Sequence, residues 1–197
     1  MACGNGRHAR TLNAIGYEVF GIDIAPNSIA EARKYENSTL HFYIHDIRES
    51  FRPETFHYVT NLFTSFGYFN TVEENEKVIE AASAELKANG IMILDFMNVK
   101  YIKKMLPYRG EEVRDDIVFH IHKEYTDKKI VKKIDFTDKG NTYHFEEQVA
   151  SFELEDFEIA MKKFGLTIKH TFGNYQLGPH TEDSDRLILV AEKNTND

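Results

Sequence analysis

Two glycines and an aspartate near the start of the chain have the types and spacing of a nucleoside-binding site. Gly4 and Gly6 lie in a turn that leads into a predicted helix, and Asp23 ends the next predicted strand. Glycines let backbone N–H groups approach a ligand closely, and an acidic side chain at the tip of the following strand can bind ribose hydroxyls. The pattern predicts a site for a nucleoside-containing cofactor.

The elements that would position these residues follow an α/β pattern. Short apolar runs alternate with amphipathic stretches over the first 100 residues, as in a parallel sheet with flanking helices. Strands are predicted at 19–23, 40–46, 57–63, 91–96, 166–172 and 186–192, and helices from 26, at 72–87 and at 154–164. We expect Asn89-Gly90 to end the helix that starts at Val72.

Residues 111–152 have a different texture. Apolar and polar residues alternate without a helical period, with turn sequences at 127–129 and 138–141. We interpret this segment as a three-stranded antiparallel insertion on a single domain that spans 1–197. An antiparallel sheet with one apolar face is also a candidate contact between two copies of the chain.

Composition limits the function classes. The 197 residues are 42% hydrophobic and carry a formal net charge of −8, which suits one domain and argues against a nucleic-acid surface. One cysteine allows no disulfide within the chain. Without a signal peptide or a membrane-length apolar run, we expect a cytoplasmic protein with a small-molecule substrate and no membrane partner.

Five motifs resemble the class I S-adenosylmethionine-dependent methyltransferases, in the family's order and along nearly the whole chain. They are the segments 2–8, 21–24, 45–48, 61–69 and 186–191. Within the family, the chain is most similar to bacterial small-molecule methyltransferases with a β insertion, such as amino-sugar and glycine-type N-methyltransferases. The resemblance implies a Rossmann-like, mostly parallel sheet with a C-terminal antiparallel strand pair, and methyl transfer to a nitrogen or oxygen nucleophile.

The resemblance also implies where S-adenosylmethionine binds. Asp23 would accept hydrogen bonds from both ribose hydroxyls, and Asp46 would accept one from the adenine amino group. The adenine ring would lie between Ile24 and Ile47. The methionine portion would contact a further set of residues, namely Ala2, Gly4, Gly6, Asn61 and Leu62.

Phe63 and Tyr68 would border the transferred methyl group and the substrate. The sulfonium already activates the methyl group, so catalysis requires mainly alignment and the exclusion of water. Tyr68 is therefore a candidate for orienting the substrate, whereas Phe66 and Phe69 are better explained by core packing. His180, in a polar loop before the last strand, is a second catalytic candidate, although a lone loop histidine is usually only solvated.

Other side chains could bind a metal, but their spacing does not favour it. His120, His122 and Glu124 alternate along one predicted strand, and no fourth ligand has suitable spacing. We interpret them as the polar outer face of the insertion and expect no metal. Cys3 is interpreted as a small packing residue rather than a nucleophile.

Two alternatives stay open at the level of sequence. The segment from Gly4 to Ala9 also satisfies a dinucleotide pattern, with Asp23 as the ribose acid, so an NAD-dependent oxidoreductase is one alternative. The other is a non-catalytic protein that binds a cofactor or a partner.

In the family, an apolar strand precedes the glycine turn, so we expect this sequence to be a fragment, or to start at an internal methionine, and to bind S-adenosylmethionine poorly as it stands.

Overall fold

A computed structural model describes residues 1–195 and contains five helices and ten strands within that range. The helices are α1 (Arg7–Ala14), α2 (Pro26–Arg33), α3 (Val72–Glu85), α4 (Val99–Lys104) and α5 (Leu154–Lys163). The strands are β1 (Val19–Asp23), β2 (Leu40–Ile44), β3 (Phe56–Asn61), β4 (Leu86–Met97), β5 (Tyr108–Arg114), β6 (Ile117–Thr126), β7 (Lys129–Asp138), β8 (Asn141–Ala150), β9 (Leu166–Phe172) and β10 (Arg186–Lys193). Over the same residues, no helix is long and apolar enough to cross a bilayer.

The α/β part of the chain contains two sheets. Strands β1 and β2 form a parallel pair, and the second sheet has the order β3-β4-β10-β9, in which β3 and β4 are parallel and β10 is antiparallel to both of its neighbours. Among residues 1–195, no strand lies between β1 and β3. Two hydrogen bonds connect these strands through the first residues, since the Met1 amine donates to Thr60 O (2.8 Å) and Cys3 N donates to Ile22 O (2.9 Å).

Two cores hold the helices against the sheets. The larger one contains four interlocked phenylalanine rings, with Phe66 5.1 to 6.2 Å from the rings of Phe96, Phe152 and Phe157. Edge and tilted contacts of this kind add to the effect of apolar burial. The smaller core packs α1 and α2 against β2, with Phe42 at its centre. Helices α3 and α5 each bury one apolar face, with Val78, Ile79 and Ala82 on α3 and Phe157, Ala160 and Met161 on α5.

Helix α3 begins where the sequence predicts and ends earlier. Thr71 and Glu74 form a reciprocal capping box before Val72, which fixes the start. The predicted end at Asn89-Gly90 is wrong, because the helix stops at Glu85 and Leu86 already pairs with Phe56 in the sheet. Asn89 does adopt a positive φ of 59°, but within an irregular part of β4.

The insertion has four antiparallel strands rather than three. Strands β5 to β8 pair in chain order from Tyr108 to Ala150, so the sheet also begins before the predicted boundary at Glu111. The extra strand, β5, is mostly exposed and rich in charged residues, and it therefore lacks the apolar alternation that marks a half-buried strand. Helix α4 was likewise not predicted, because six residues are too few for a clear helical period.

Gly6 sets the geometry at the start of α1, and its replacement tests this part of the fold. It has a φ of +81°, and a Cβ atom there would lie 2.6 Å from the Phe42 ring. Gly6→Ala is expected to lower the free energy of unfolding by about 2–4 kcal/mol, through a left-handed backbone and overpacking. Urea unfolding measures this loss.

Gly140→Ala is the matched control. Gly140 has a similar φ of +79° with nothing within 4 Å of the added Cβ, so a loss of about 1 kcal/mol is expected from the backbone alone. Equal losses for the two variants would show that the contact with Phe42 carries no weight.

Candidate functional site

The glycine turn is fastened to the end of β1 by Asp23. Gly4 N donates to Asp23 Oδ2 at 2.7 Å, and Ala25 N donates to Oδ1 at 2.9 Å. Gly4 itself has a φ of +54°, and a Cβ atom added there would have no atom within 4 Å, so the space beside the turn is open. A carboxylate accepts about four hydrogen bonds, and Asp23 therefore keeps capacity for a ligand.

Asp23 and Asp46 lie at the same edge of a sheet. Strands β1 and β2 run parallel with Asp23 opposite Ile44, and His45 N donates to Asp23 O at 3.0 Å. Because carboxyl ends of neighbouring parallel strands share one edge, Asp46 follows β2 on the side where Asp23 ends β1. The predicted placement of the two carboxylates on one side of the molecule agrees with this geometry.

Arg48 holds the Asp46 carboxylate. The guanidinium donates to Asp46 Oδ2 through Nη2 at 2.6 Å and to Glu74 through Nη1 at 3.0 Å, and it lies over the Phe69 ring, 4.4 Å from the centroid. The hydrogen bond from Arg48 lowers the pKa of Asp46. Asp46 is therefore ionised at neutral pH and has a fixed orientation.

The two isoleucines assigned to the adenine ring differ in exposure. Ile24 is 63% exposed beside Asp23, whereas Ile47 is 8% exposed and belongs to the larger core. Ile24 is thus free to cover a planar ligand. The side chain of Ile47 packs inside the protein instead.

Asn61 ends β3 with an amide that lacks partners. The residue is fully buried, and neither its Nδ2 nor its Oδ1 has a hydrogen-bond partner among the residues that the structure describes. Buried polar groups are normally paired, and an unpaired one costs on the order of 1–3 kcal/mol. A free amide donor and acceptor suit the amino and carboxylate groups of a methionine moiety.

Beyond Asn61, the chain makes a strained turn that Asp95 holds in place. Phe63 and Thr64 are consecutive non-glycine residues with positive φ, 61° and 58°. Phe63 N donates to Asp95 Oδ2 at 2.9 Å, and Thr64 N donates to the Asp95 backbone carbonyl at 2.9 Å. Such conformations persist where the surroundings impose them, and they concentrate at functional sites.

Asp95 also receives hydrogen bonds from the end of the chain. Arg186 donates to Asp95 Oδ1 through Nε at 2.8 Å and Nη2 at 2.6 Å, and the Tyr175 hydroxyl donates to Oδ2 at 3.1 Å. Arg186 Nη2 reaches Thr64 Oγ1 at 3.0 Å as well. We call these residues (Phe63, Thr64, Asp95, Tyr175, Arg186) the Asp95 network.

A cavity of about 450 Å³ opens beside this network. We call it the Asp95 cavity, and it is lined by His8, Leu62, Phe63, Asp95, Tyr175, Leu177 and Ile188. The sequence predicts two of these residues as part of the site, Leu62 beside the methionine portion and Phe63 beside the transferred methyl group. It does not predict His8, Asp95 or Tyr175. A lone acid in the apolar run 91–96 was a usable signal for Asp95; nothing in the sequence marked Tyr175.

His8 is the imidazole that the structure places at this cavity. Its ring lies 6.3 Å from that of Phe63, at the start of α1. Partial burial and the neighbouring Arg7 lower the pKa of His8. The ring is therefore neutral at pH 7 and can accept a hydrogen bond or a proton.

The two catalytic candidates from the sequence lie outside the lining of the Asp95 cavity. Tyr68 is about half exposed, and burial and the nearby Glu147 of the insertion raise its pKa. His180 lies near Lys100 and Glu155, with burial and Lys100 lowering its pKa. The structure thus brings Tyr68 to the insertion and His180 to the region of α4 and α5.

The predicted outer face of the insertion carries ion pairs. His120 Nδ1 lies 3.1 Å from Glu111, and Glu124 lies 2.9 Å from Lys133. Within residues 1–195, no group of three or more His, Cys, Asp or Glu residues is arranged to hold a metal ion.

The ion pair between Asp95 and Arg186 can be tested by removing one or both partners. Their side chains are 5% and 15% exposed, so Asp95→Leu leaves a buried guanidinium without its partner and is expected to cost about 3–5 kcal/mol of stability. The double variant Asp95→Leu/Arg186→Met contains no unpaired charge and is expected to be about 1–3 kcal/mol more stable than the single variant. Urea unfolding measures the free energy of unfolding of both variants. A double variant that is less stable than the single variant would contradict this account.

Cys3 should be unreactive in the folded protein. Burial raises the pKa of its thiol to about 11, compared with about 8.5 for a free cysteine. Because the thiolate is the reacting form, labelling by a disulfide-exchange reagent at about pH 8 is expected to be at least about tenfold slower in the native protein than in urea. Cys3→Ser supplies the blank, and similar rates in both states would refute the buried thiol.

Comparisons with known proteins agree with this geometry. The family described as "Methyltransferase domain" matches residues 1–90. A glycine/sarcosine N-methyltransferase of Aphanothece halophytica is 27% identical over 207 residues, covering 98% of this chain and 74% of that protein. The chain also resembles two solved structures, both over 98% of its length.

The first is an S-adenosylmethionine-dependent methyltransferase from Clostridium acetobutylicum, with a TM-score of 0.86, 18% identity and 82% of that chain covered. The second is CalS10, an amino pentose methyltransferase from Micromonospora echinaspora solved with its S-adenosylmethionine, with a TM-score of 0.75, 23% identity and 80% coverage. The predicted fold class is therefore confirmed. In its first 90 residues and in the fold of nearly its whole length, the chain resembles the S-adenosylmethionine-dependent methyltransferases.

Proposed function

We propose that this protein transfers a methyl group from S-adenosylmethionine to a nitrogen or oxygen atom of a small-molecule acceptor. One observation carries the proposal. Asp23 with its glycine turn and the unpaired amide of Asn61 stand at the carboxyl ends of β1 and β3, and the Asp95 cavity begins at the next residue, Leu62.

The residues of the site fit the parts of an adenosyl cofactor. Asp23 would bind the ribose hydroxyls with its remaining lone pairs, and Ile24 would cover one face of the adenine. Asp46, held ionised by Arg48, would accept a hydrogen bond from the adenine amino group. Gly4 leaves room beside the turn for the methionine portion, and Asn61 supplies an amide to it.

When bound, the cofactor supplies a methyl group already activated by its sulfonium. The protein then has to hold the acceptor in line with that methyl group and keep water out. Phe63 and Leu62 give the Asp95 cavity an apolar wall next to Asn61, and the hydrogen bond from Phe63 N to Asp95 holds the backbone of that wall.

The insertion contributes to the same side of the protein. Ala150 N donates to Gly67 O at 2.7 Å, and the negative charge of Glu147 contributes to the raised pKa of Tyr68. We infer that the end of β8 forms part of the wall around the acceptor, with Tyr68 between the insertion and the cofactor. The outer strands of the insertion remain a candidate contact between two copies.

Relatives support a small-molecule acceptor. The Aphanothece halophytica protein is named for glycine and sarcosine, and CalS10 is described as acting on an amino pentose. Both names refer to small amino compounds. The Asp95 cavity, at about 450 Å³, lies within the range of about 300–1,000 Å³ that is usual for small-molecule sites.

Calorimetric titration with S-adenosylhomocysteine tests the cofactor assignment. Asp23→Asn is expected to weaken binding by about ten- to a hundredfold, because hydrogen bonds to a charged group are lost. Glu158→Gln, which removes one exposed carboxylate on α5, is the charge-matched control and should leave the affinity unchanged.

The same titration with NAD distinguishes the oxidoreductase alternative. We expect NAD to give no heat of binding when it is added at the concentrations at which S-adenosylhomocysteine saturates the protein. Binding of NAD but not of S-adenosylhomocysteine would overturn the proposed function, and binding of neither would support a non-catalytic role.

A further inference from the structure

We propose that Tyr175 is a positioning residue whose hydroxyl oxygen accepts a hydrogen bond from the N–H or O–H of the methyl acceptor. This inference rests on the proposed function and deepens it, because it restricts the acceptor to a neutral amine or alcohol with an apolar body. The residue lies in the loop between β9 and β10, outside the five motifs that carry the family resemblance.

The first step concerns the proton of the Tyr175 hydroxyl. It is donated to Asp95 Oδ2 at 3.1 Å. That carboxylate also accepts hydrogen bonds from Phe63 N and from two nitrogen atoms of Arg186. All of these partners are donors. Asp95 is thus held as an acceptor, and the hydroxyl proton of Tyr175 has a fixed direction.

It follows that Tyr175 presents an acceptor to the Asp95 cavity. A tyrosine hydroxyl has one proton and acceptor lone pairs, and the proton is already committed. Tyr175 is about half exposed, and partial burial of its hydroxyl raises its pKa. The hydroxyl therefore stays protonated at neutral pH and does not act as a base. Its contribution to the reaction is to orient a donor group.

The remaining wall determines the body of the acceptor. Leu62, Phe63, Leu177 and Ile188 supply apolar surface, and His8 adds an imidazole whose pKa is lowered. The charge of Asp95 is compensated by Arg186. A permanently charged acceptor would find no free counter-ion in this lining. A neutral amine or alcohol on an apolar ring or chain would satisfy both the hydroxyl and the wall.

The hydrogen bond also suits the transfer step. With its N–H held by Tyr175, the nitrogen has its lone pair free to attack the methyl carbon. The new C–N bond forms as the C–S bond breaks, the electron pair of that bond stays on sulfur, and the positive charge moves to nitrogen. The alkylated nitrogen then loses its proton to solvent.

Two matched probes test the inference on the protein saturated with S-adenosylhomocysteine. Aniline carries N–H groups and is uncharged at neutral pH, whereas N,N-dimethylaniline has the same ring without N–H. The informative quantity is the change in each affinity when the hydroxyl is removed, because the two methyl groups of N,N-dimethylaniline add apolar surface of their own. In Tyr175→Phe, the affinity for aniline should fall about two- to tenfold, as expected for one hydrogen bond, and the affinity for N,N-dimethylaniline should not change.

Tyr35→Phe is the control, because Tyr35 is exposed and its ring lies under Arg10, 3.5 Å from the guanidinium carbon. It should leave both affinities as they were. Binding of S-adenosylhomocysteine by each variant shows that the variant is folded and tests the proposed function separately. With that binding intact, an affinity for aniline that is unchanged in Tyr175→Phe, an equal loss for both probes, or binding of neither would overturn the role of Tyr175.

Discussion

The buried ion pair between Asp95 and Arg186 is the interaction on which the candidate site depends. It connects the end of β4 to the start of β10, and through Phe63 N and Thr64 Oγ1 it holds two residues in backbone conformations that are unfavourable for side chains larger than glycine. Buried ion pairs add little net stability because both charges lose their hydration. Here the pair fixes a geometry, since it holds the backbone of the turn after β3 and binds the hydroxyl of Tyr175.

Much of the fold and the cofactor side of the site could be predicted from local patterns. The glycine turn and Pro26 are signals that act within a few residues, and they predict the starts of α1 and α2. The amphipathic period from Val72 predicts the start of α3. The position of Asp23 at the end of a strand predicts its edge of the sheet, because parallel strands end together. The arrangement of Gly4, Asp23 and Asp46 agrees with those expectations.

The remainder depends on contacts between distant parts of the chain. Tyr175 reaches Asp95 across 80 positions, and Arg186 reaches it across 91, so no local pattern indicates either contact. The early end of α3 has the same origin, since Leu86 pairs with Phe56 before the helix reaches its glycine. Strand β5 is rich in charged residues and mostly exposed, and it is stabilised by pairing with β6 rather than by burial.

The division of the α/β part into two sheets has a thermodynamic consequence. Asp23 belongs to the β1–β2 pair and Leu62 follows β3, and residues 1–3 provide two hydrogen bonds between those halves. A molecule that contacts both Asp23 and Leu62 acts as a crosslink between them. Its binding free energy adds to the interactions that hold the two sheets together. The free energy of unfolding therefore rises with the occupancy of the ligand.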